Sequence, residues 1–302
     1  MITELRIPWR RIFEDLKYVM IFIVLYITAF SIIDFYYDLV FLHVPISLIT
    51  VPGTVIALLL AFRTNSAYDR WWEARIIWGA IVNDSRTWVR QLLTFVKYEN
   101  KSSDVFRHVN YMAKRQIAWN YALTAHLRKV DLADSIQPLI GKNEYEEMMK
   151  KNNVANGLLY RQGADLRILY SKKLLDQYQF VSLDETLTKF TDSMGKCERI
   201  KNTVFPTSYS LLVDVLIYLW VFFLPFGLID NIGLILIPTS VSLAFSFLAI
   251  DRIAYYMQDP FNNLPSDTPM LSLSRTIEIN IMQELGEDDI PEPLKPQHGV
   301  LM

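Results

Sequence analysis

The sequence predicts an all-α, multi-pass membrane protein with four transmembrane helices and a large helical cytosolic region. Composition is the first reason, because 52% of the 302 residues are hydrophobic and only 21% are charged, which is more apolar than an ordinary soluble protein. Four apolar runs, two on each side of a long polar segment, are the second reason. The third is the helical spacing of apolar residues within that polar segment, which shows no strand pattern.

The four apolar runs fix the order of the membrane helices. Each approaches the roughly 20 residues that a helix needs to cross about 30 Å of hydrocarbon. Pro52 and Pro238 predict breaks in the second and fourth helices, which neighbouring protein would have to stabilise; a simple packing kink is the alternative. The runs are Tyr18 to about Phe35, Val44 to Phe62, Tyr209 to Ile229, and Ile232 to Ile250.

The basic residues predict the orientation of these helices. The loops after the first and third runs contain no Lys or Arg, whereas the segment 63–208 carries 23 of the 30 basic residues. By the positive-inside rule, both termini and this segment lie in the cytosol. The predicted segments are an N-terminal cytosolic segment (1–17), transmembrane helices 1 and 2 (18–62), a cytosolic helical region (63–208), transmembrane helices 3 and 4 (209–250), and a cytosolic C-terminal helix and tail (251–302).

The polar segments are predicted to be helical as well. Apolar residues recur at helical spacing from Trp71 to Phe95, and the pattern resumes after each charged stretch. Residues 183–200 begin with acids and end with bases, as the helix dipole favours. After the fourth run, a Pro-rich turn leads to a helix from about Pro269 to Leu285, and an irregular tail follows.

The second apolar run continues into the polar segment without a helix breaker, which predicts one helix passing through the membrane interface. Thr54, Leu58 and Phe62 are four residues apart and share one face of this helix. Further along the face lie Ser66 and either Asp69 or Arg70. Such a face suits a pore lining, with an apolar ring above polar side chains. A stripe that merely packs against neighbouring helices explains the spacing as well.

Charged residues near and inside the membrane runs have more than one interpretation. Arg63 and Arg70 are open to a simple one, as interface anchors or as ion-pair partners of Asp69 and Glu73. Asp214 lies inside the third run, where an unpaired charge costs about 3 kcal/mol. A partner in a neighbouring subunit, a hydroxyl group or a proton-relay role are the interpretations open for Asp214.

Several functional classes lack a signal in the sequence. Cys197 is the only cysteine, and the four histidines show no zinc spacing. Neither a phosphate loop nor a nucleophile elbow is visible, so we expect no enzyme activity, no metal and no other cofactor. A nucleic-acid-binding patch is also missing, as are the inverted repeats of a secondary transporter. A non-conducting membrane scaffold fits the composition as well as a channel does.

Two long stretches resemble the bestrophin family, specifically its bacterial branch. They are FRTNSAYDRWWEARIIWG at 62–79 and QDPFNNLPSDTPMLSLSRTIEINI at 258–281. FPTSY before the third run and FFLPFGL within it are similar too, so the resemblance covers nearly the whole chain. It implies a homopentameric ion channel in the bacterial inner membrane, surrounded by lipid, with one pore on the five-fold axis.

The resemblance also implies a role for the second membrane helix. In bestrophins this helix lines a narrow hydrophobic neck, and the phenylalanine of that neck matches Phe62. Steps of four residues place Leu58 and Thr54 on the other rings of the neck. Thr54 departs from the family, whose outermost ring is usually apolar, so we expect a shorter dry zone. Candidates for the wall of the cytosolic vestibule are Arg63, Ser66, Asp69 and Arg70.

A second constriction near the cytosolic exit is implied by the same resemblance. It is formed by an apolar residue close to the proline that precedes the third membrane helix, and Pro206 matches that proline. The aperture residue is then Val204 or Phe205, with Thr203 also possible. The alternative is a buried apolar pair that merely ends the preceding helix.

Gating and ion choice are further expectations from the resemblance. Animal bestrophins bind calcium through a run of acids after a Pro-Phe pair, but Pro260 and Phe261 are flanked only by Asp259 and Asp267. Because calcium takes six to eight oxygen ligands, we expect conduction without calcium gating of the animal type. The family favours small monovalent anions such as chloride. A monovalent cation channel, for sodium, is the close alternative, and a non-conducting scaffold is the second.

Overall fold

A computed structural model describes residues 9–38, 40–203, 205–232, 235–296 and 300–301. The regular elements in these ranges are nine α-helices and one short 3₁₀ helix, Val40–Leu42, which confirms the all-α prediction. The α-helices are α1 (Trp9–Tyr37), α2 (Ser47–Phe95), α3 (Asp104–Arg128), α4 (Ala133–Met148), α5 (Val154–Ser171), α6 (Gln177–Asn202), α7 (Thr207–Ile232), α8 (Leu236–Gln258) and α9 (Met270–Leu285).

Four stretches of the described chain are long and apolar enough to cross a membrane, as the sequence predicts. The first three extend beyond the predicted apolar runs, and the fourth begins at Leu236, four residues after the predicted start, and ends eight residues after the predicted end. The largest extension is that of α2, a single helix of 49 residues. The stretches are Arg11–Tyr37, Val40–Phe95, Thr207–Ile229 and Leu236–Gln258.

The helix breaks predicted at the two prolines are wrong. Helix α2 continues through Pro52, and Pro238 lies in the first turn of α8, where a missing N–H removes no helical hydrogen bond. About one turn before Pro52, the carbonyl of Ile49 accepts a hydrogen bond from Nε1 of Trp220 in α7 at 2.8 Å. Such bonds from a neighbouring helix stabilise membrane helices that contain proline.

Two glycines allow α2 and α7 to approach closely. A Cβ atom on Gly53 would lie 3.0 Å from Nε1 of Trp220, and one on Gly227 would collide with Cγ1 of Ile49. Small residues at such contacts are typical of membrane helices, where close backbone packing replaces the hydrophobic effect as the source of association. These two contacts, at Gly53 and Gly227, form the α2–α7 seam.

The described chain divides into two compact units. The membrane unit contains residues 9–71 and 205–259, and so α1, α7, α8 and the first part of α2. The helical unit contains residues 72–203 and 260–301, with the rest of α2, α3 to α6 and α9. The boundary in α2 follows Trp71, nine residues beyond the predicted end of the membrane segment at Phe62. The cytosolic location of the helical unit stays a prediction.

Helix α3 lies at the centre of the helical unit. It packs against α4, α5, α6 and α9, and its amphipathic sequence buries Trp119 completely against Phe190 of α6, with the ring centroids 5.0 Å apart. Capping fixes the helix ends: the Ser103 side chain accepts from the N–H of Phe106, and Asp176 with Gln179 forms a capping box at α6.

A buried ion network joins three helices of the helical unit. Arg115 of α3 is 1% exposed and donates through Nε to Glu144 of α4 and through Nη1 to Asp165 of α5, both at 2.6 Å. It also donates to Gln162 at 3.2 Å. Burial opposes the charged form of Arg115, but the bonds and charges of the two carboxylates outweigh it and raise the pKa of Arg115. The charge is therefore permanent and fully paired.

Candidate functional site

Helix α2 presents two different faces within the membrane unit. One face is buried and carries small and apolar residues, namely Gly53, Ile56, Leu60 and Ala67, together with Arg63. The face with Thr54, Leu58 and Phe62 is exposed on the protomer, and the exposed fractions of Leu58 and Phe62 are 72% and 59%. An apolar stripe left uncovered by its own chain is available to line a pore or to meet other molecules.

An aromatic chain connects Phe62 with the segment that precedes α7. Tyr209 lies in edge contact with Phe62, at 5.8 Å between ring centroids, and with Phe205 at 5.5 Å. Its hydroxyl donates to the carbonyl of Leu59 at 3.0 Å. The structure thus brings the predicted neck residue and one predicted aperture residue to the same tyrosine, through contacts that the sequence did not indicate.

The aperture itself stays a prediction. Thr203 is exposed and ends α6 as its C-cap, with its N–H bonded to the carbonyl of Arg199. Phe205 is half-buried by its packing on Tyr209. Val204 lies outside the described residues.

Arg63 differs from the expectation that it lines a vestibule. Its side chain is buried within the membrane unit, 4% exposed, and its Nη1 donates to Asp214 of α7 at 3.2 Å and to Asp251 of α8. Its side chain is therefore not presented on the surface of the protomer. A charge buried at this depth requires such partners.

The same ion pair answers the question raised by Asp214. Its carboxylate accepts a bond from Arg63 of the same chain at 3.2 Å. Sequence reasoning missed Asp251 altogether, since it lies near the end of the fourth run and 188 residues from Arg63. The sequence did contain one indication of this pairing. Arg63, Asp214 and Asp251 all lie in or beside apolar runs, and burying such charges is favourable only if they pair with one another.

The other vestibule candidates lie in the next turns of α2. Ser66 is half-buried and Asp69 is exposed. Arg70 is half-buried, and its Nε donates to the carbonyl of Gln258 at the end of α8, at 2.8 Å. Of the two basic candidates, one is therefore buried in an ion pair and the other is bound to a helix end, whereas the acidic candidate remains exposed.

The loop after α8 is closed by bonds within the chain. Asp267 is 1% exposed, and its Oδ2 accepts from the N–H of Leu264 at 3.0 Å. Asn262 accepts a bond from Lys201 at 2.9 Å. In the part of the chain that the structure describes, no three His, Cys, Asp or Glu side chains are grouped so that they would hold a metal ion.

Known proteins resemble the chain along most of its length. The family model for bacterial and fungal bestrophin proteins matches residues 6–283. A voltage-dependent anion channel-forming protein of Nostoc sp. is 32% identical over 231 residues, which cover 76% of this chain and 75% of that protein. The voltage-dependent anion channel-forming protein YneE of Escherichia coli K12 is 30% identical over 244 residues, or 81% of this chain and 78% of YneE.

Solved structures show the same likeness in three dimensions. A crystal structure of a bacterial bestrophin homologue from Klebsiella pneumoniae matches the chain with a TM-score of 0.82 at 25% sequence identity. The match covers 91% of this chain and all of the Klebsiella chain. The sequence motifs, the four apolar helices and these matches agree, and the chain therefore belongs to the bacterial and fungal bestrophin family.

Proposed function

We propose that the chain forms a pentameric anion channel whose pore neck is lined by the exposed stripe of α2. The observation that carries this proposal is the division of α2 into a buried face and an exposed apolar face at Thr54, Leu58 and Phe62. The names of the relatives from Nostoc and Escherichia coli, which describe anion channel-forming proteins, support the choice of anions. Five copies of the stripe around one axis would make a narrow, water-repelling conduit.

The mechanism follows from the chemistry of the stripe. Rings of Leu58 and Phe62 offer no hydrogen bonds, so an ion that passes them must give up part of its water shell. Monovalent anions with a weakly held shell lose less hydration free energy there than multiply charged ones. The Thr54 hydroxyl, which donates to the carbonyl of Thr50 at 2.9 Å, would keep the outer entrance wet and shorten the dry zone.

The experiment that tests the proposal is the reversal potential of the purified protein in a planar bilayer. With unequal sodium chloride on the two sides, an anion channel reverses near the chloride equilibrium potential and a cation channel near that of sodium. Steady coupled flux without unitary currents would indicate a carrier. Absence of current in bilayers that conduct with the Escherichia coli relative would indicate a scaffold.

A monovalent cation channel is the second candidate, and the exposed carboxylate of Asp69 favours it. Asp69 lies beyond Phe62 on α2 and is exposed, whereas Arg63 is buried with two carboxylates and Arg70 is bonded to Gln258. Five Asp69 side chains facing one vestibule would attract cations, because rings of acids raise the local cation concentration.

Asp69→Asn tests the influence of this carboxylate directly. We expect the reversal potential to move toward the chloride equilibrium potential, because the substitution removes one negative charge per subunit near the pore. The control is Asp192→Asn, an exposed carboxylate on α6, which should leave the reversal potential unchanged. Equal values for both variants and the parent protein would show that Asp69 does not face the ion path.

Calcium independence is a further part of the proposal. The Pro260–Phe261 loop holds two aspartates where the animal family has an acidic run, and Asp267 is buried in a local backbone bond. Such a loop supplies too few free carboxylate oxygens for tight calcium binding. We expect the open probability to be the same in millimolar chelator and in 10 micromolar calcium, roughly the upper end of the affinity range of calcium sensors. A sharp rise in current on calcium addition would contradict this.

A further inference from the structure

A cavity of about 380 Å³ with charged and apolar walls lies in the membrane unit, and Thr54, Leu58 and Phe62 of the exposed stripe do not line it. Residues of α1, α2, α7 and α8 line it, and four of them are charged: Arg63, Asp214, Asp251 and Arg252. The volume falls within the range of about 300–1,000 Å³ that is usual for small-molecule sites. A charged cavity among apolar helices requires an explanation, because buried charges are costly unless they are paired.

The charges in the cavity balance, but their hydrogen bonds do not. Arg63 is shared by Asp214 and Asp251, yet its buried Nε has no partner among the described residues. The buried Nε of Arg252 likewise lacks a partner in the described chain. The side chain of Asp214 remains 45% exposed although it accepts a bond from Arg63. The guanidinium of Arg252 and the open carboxylate of Asp214 thus line one space.

The cavity lies at one end of the membrane helices. Thr207, the first residue of α7, and Gln258, the last residue of α8, both contribute to its wall. Tyr218 and Tyr255 add hydroxyl-bearing rings, which are typical of the membrane–water interface. Leu16 and Ile217 add apolar surface. This combination places the cavity at the depth of lipid headgroups rather than in the hydrocarbon centre.

We propose that this cavity binds a phosphoethanolamine group, a zwitterion with an ammonium and a phosphate, supplied by phosphatidylethanolamine. The ammonium donates to the exposed carboxylate of Asp214, and the phosphate accepts from the guanidinium of Arg252 in the cavity wall. The apolar wall then accommodates the start of the acyl chains. This arrangement places an opposite charge beside each end of the zwitterion.

The lining discriminates against other ligands by charge and by hydrogen bonding. A simple anion would meet Asp214 and Asp251, and a simple cation would meet Arg63 and Arg252, so neither finds a favourable net field. A phosphocholine group has the same charges, but its quaternary nitrogen has no N–H to donate to Asp214. The expected order of affinity is therefore phosphatidylethanolamine above phosphatidylcholine and phosphatidylglycerol.

The test is native mass spectrometry of the full-length protein from detergent, titrated with each of these three lipids at equal chain length. We expect phosphatidylethanolamine to be retained about tenfold more strongly than the other two, the effect of losing one charge-assisted bond. Soluble O-phosphoethanolamine, which has the headgroup but no acyl chains, is the competitor. We expect it not to displace the lipid at comparable concentration. Competition at comparable concentration would assign the site to a soluble zwitterion, which overturns the lipid source.

Two variants and one control keep the test sharp. Asp214→Asn removes the ammonium partner and should bring phosphatidylethanolamine to the level of phosphatidylcholine. Arg252→Gln removes a phosphate partner without removing an observed hydrogen bond of its Nε, so it serves if Asp214→Asn does not fold. Lys17→Gln, an exposed interface cation on α1 outside the cavity, should retain the full preference. Equal retention of all three lipids by the parent protein, or undiminished retention of phosphatidylethanolamine in Arg252→Gln, would overturn the proposal.

Discussion

Replacing Phe62 by alanine is expected to raise the unitary conductance several-fold. The phenyl ring is 59% exposed on the protomer and continues the stripe of Leu58, so five such rings would form the narrowest apolar part of the proposed neck. Alanine would widen this part and lower the cost of wetting it. Single-channel recording in planar bilayers measures the change, and Phe62→Trp should have the opposite effect.

The matched control for this substitution is Phe22→Ala. Phe22 is 70% exposed on α1 and has no predicted role in the pore. Its conductance should equal that of the parent protein. If Phe62→Ala conducts like Phe22→Ala, with both variants assembling normally, the phenyl ring of Phe62 does not border the ion path and the neck proposal fails.

Cysteine labelling gives an independent measurement of the same face. Cys197 is the only native cysteine, and its complete burial raises the pKa of its thiol to about 12, so it should be unreactive. Cysteines placed at Thr54, Leu58 and Phe62 should react with a charged thiol reagent and lose current. A cysteine at Val55, which is exposed but about 100° further around the helix, should react without blocking.

Replacing Arg115 by methionine is expected to lower the melting temperature by about 10 °C or more. The substitution leaves Glu144 and Asp165 buried without their common partner, and breaking a buried pair in this way costs about 3–5 kcal/mol. Circular dichroism of the purified protein in detergent measures the shift. Arg107→Met is the control, since its partner Asp104 and its own side chain are largely exposed, and its cost should stay below about 1 kcal/mol.

A triple variant separates unpaired charge from lost packing. Arg115→Met combined with Glu144→Leu and Asp165→Leu removes all three charges, and apolar replacement of a buried ion network is often neutral. We expect most of the stability to return in this variant. A triple variant as unstable as Arg115→Met alone would show that shape, rather than charge, accounts for the loss.

Sequence patterns predicted the helices well because their signal is local. The apolar runs and the spacing of Thr54, Leu58 and Phe62 depend on residues within a few turns of one another, and the structure has the helices where these patterns indicate. The exception is the pair of prolines. A proline breaks a helix only if nothing compensates, and neither the position of Pro238 in a first turn nor the bond from Trp220 near Pro52 is visible locally.

The partners of the buried charges could not be predicted for a different reason. Arg63 reaches Asp214 and Asp251 across separations of 151 and 188 residues, and Arg115 reaches Asp165 across 50. Nothing in a local pattern specifies such pairs. The same limit applies to Tyr209, whose contacts with Phe62 and Leu59 depend on how α7 packs beside α2.

The seam between α2 and α7 limits how a gate could operate. With Trp220 against Gly53 and Ile49 against Gly227, a slide of either helix along its axis would push one of these side chains into the backbone of the other helix. The two helices should consequently tilt together as one rigid body. A stimulus that displaces α7 would then displace α2, and the Phe62 side chain with it, without a further conformational step.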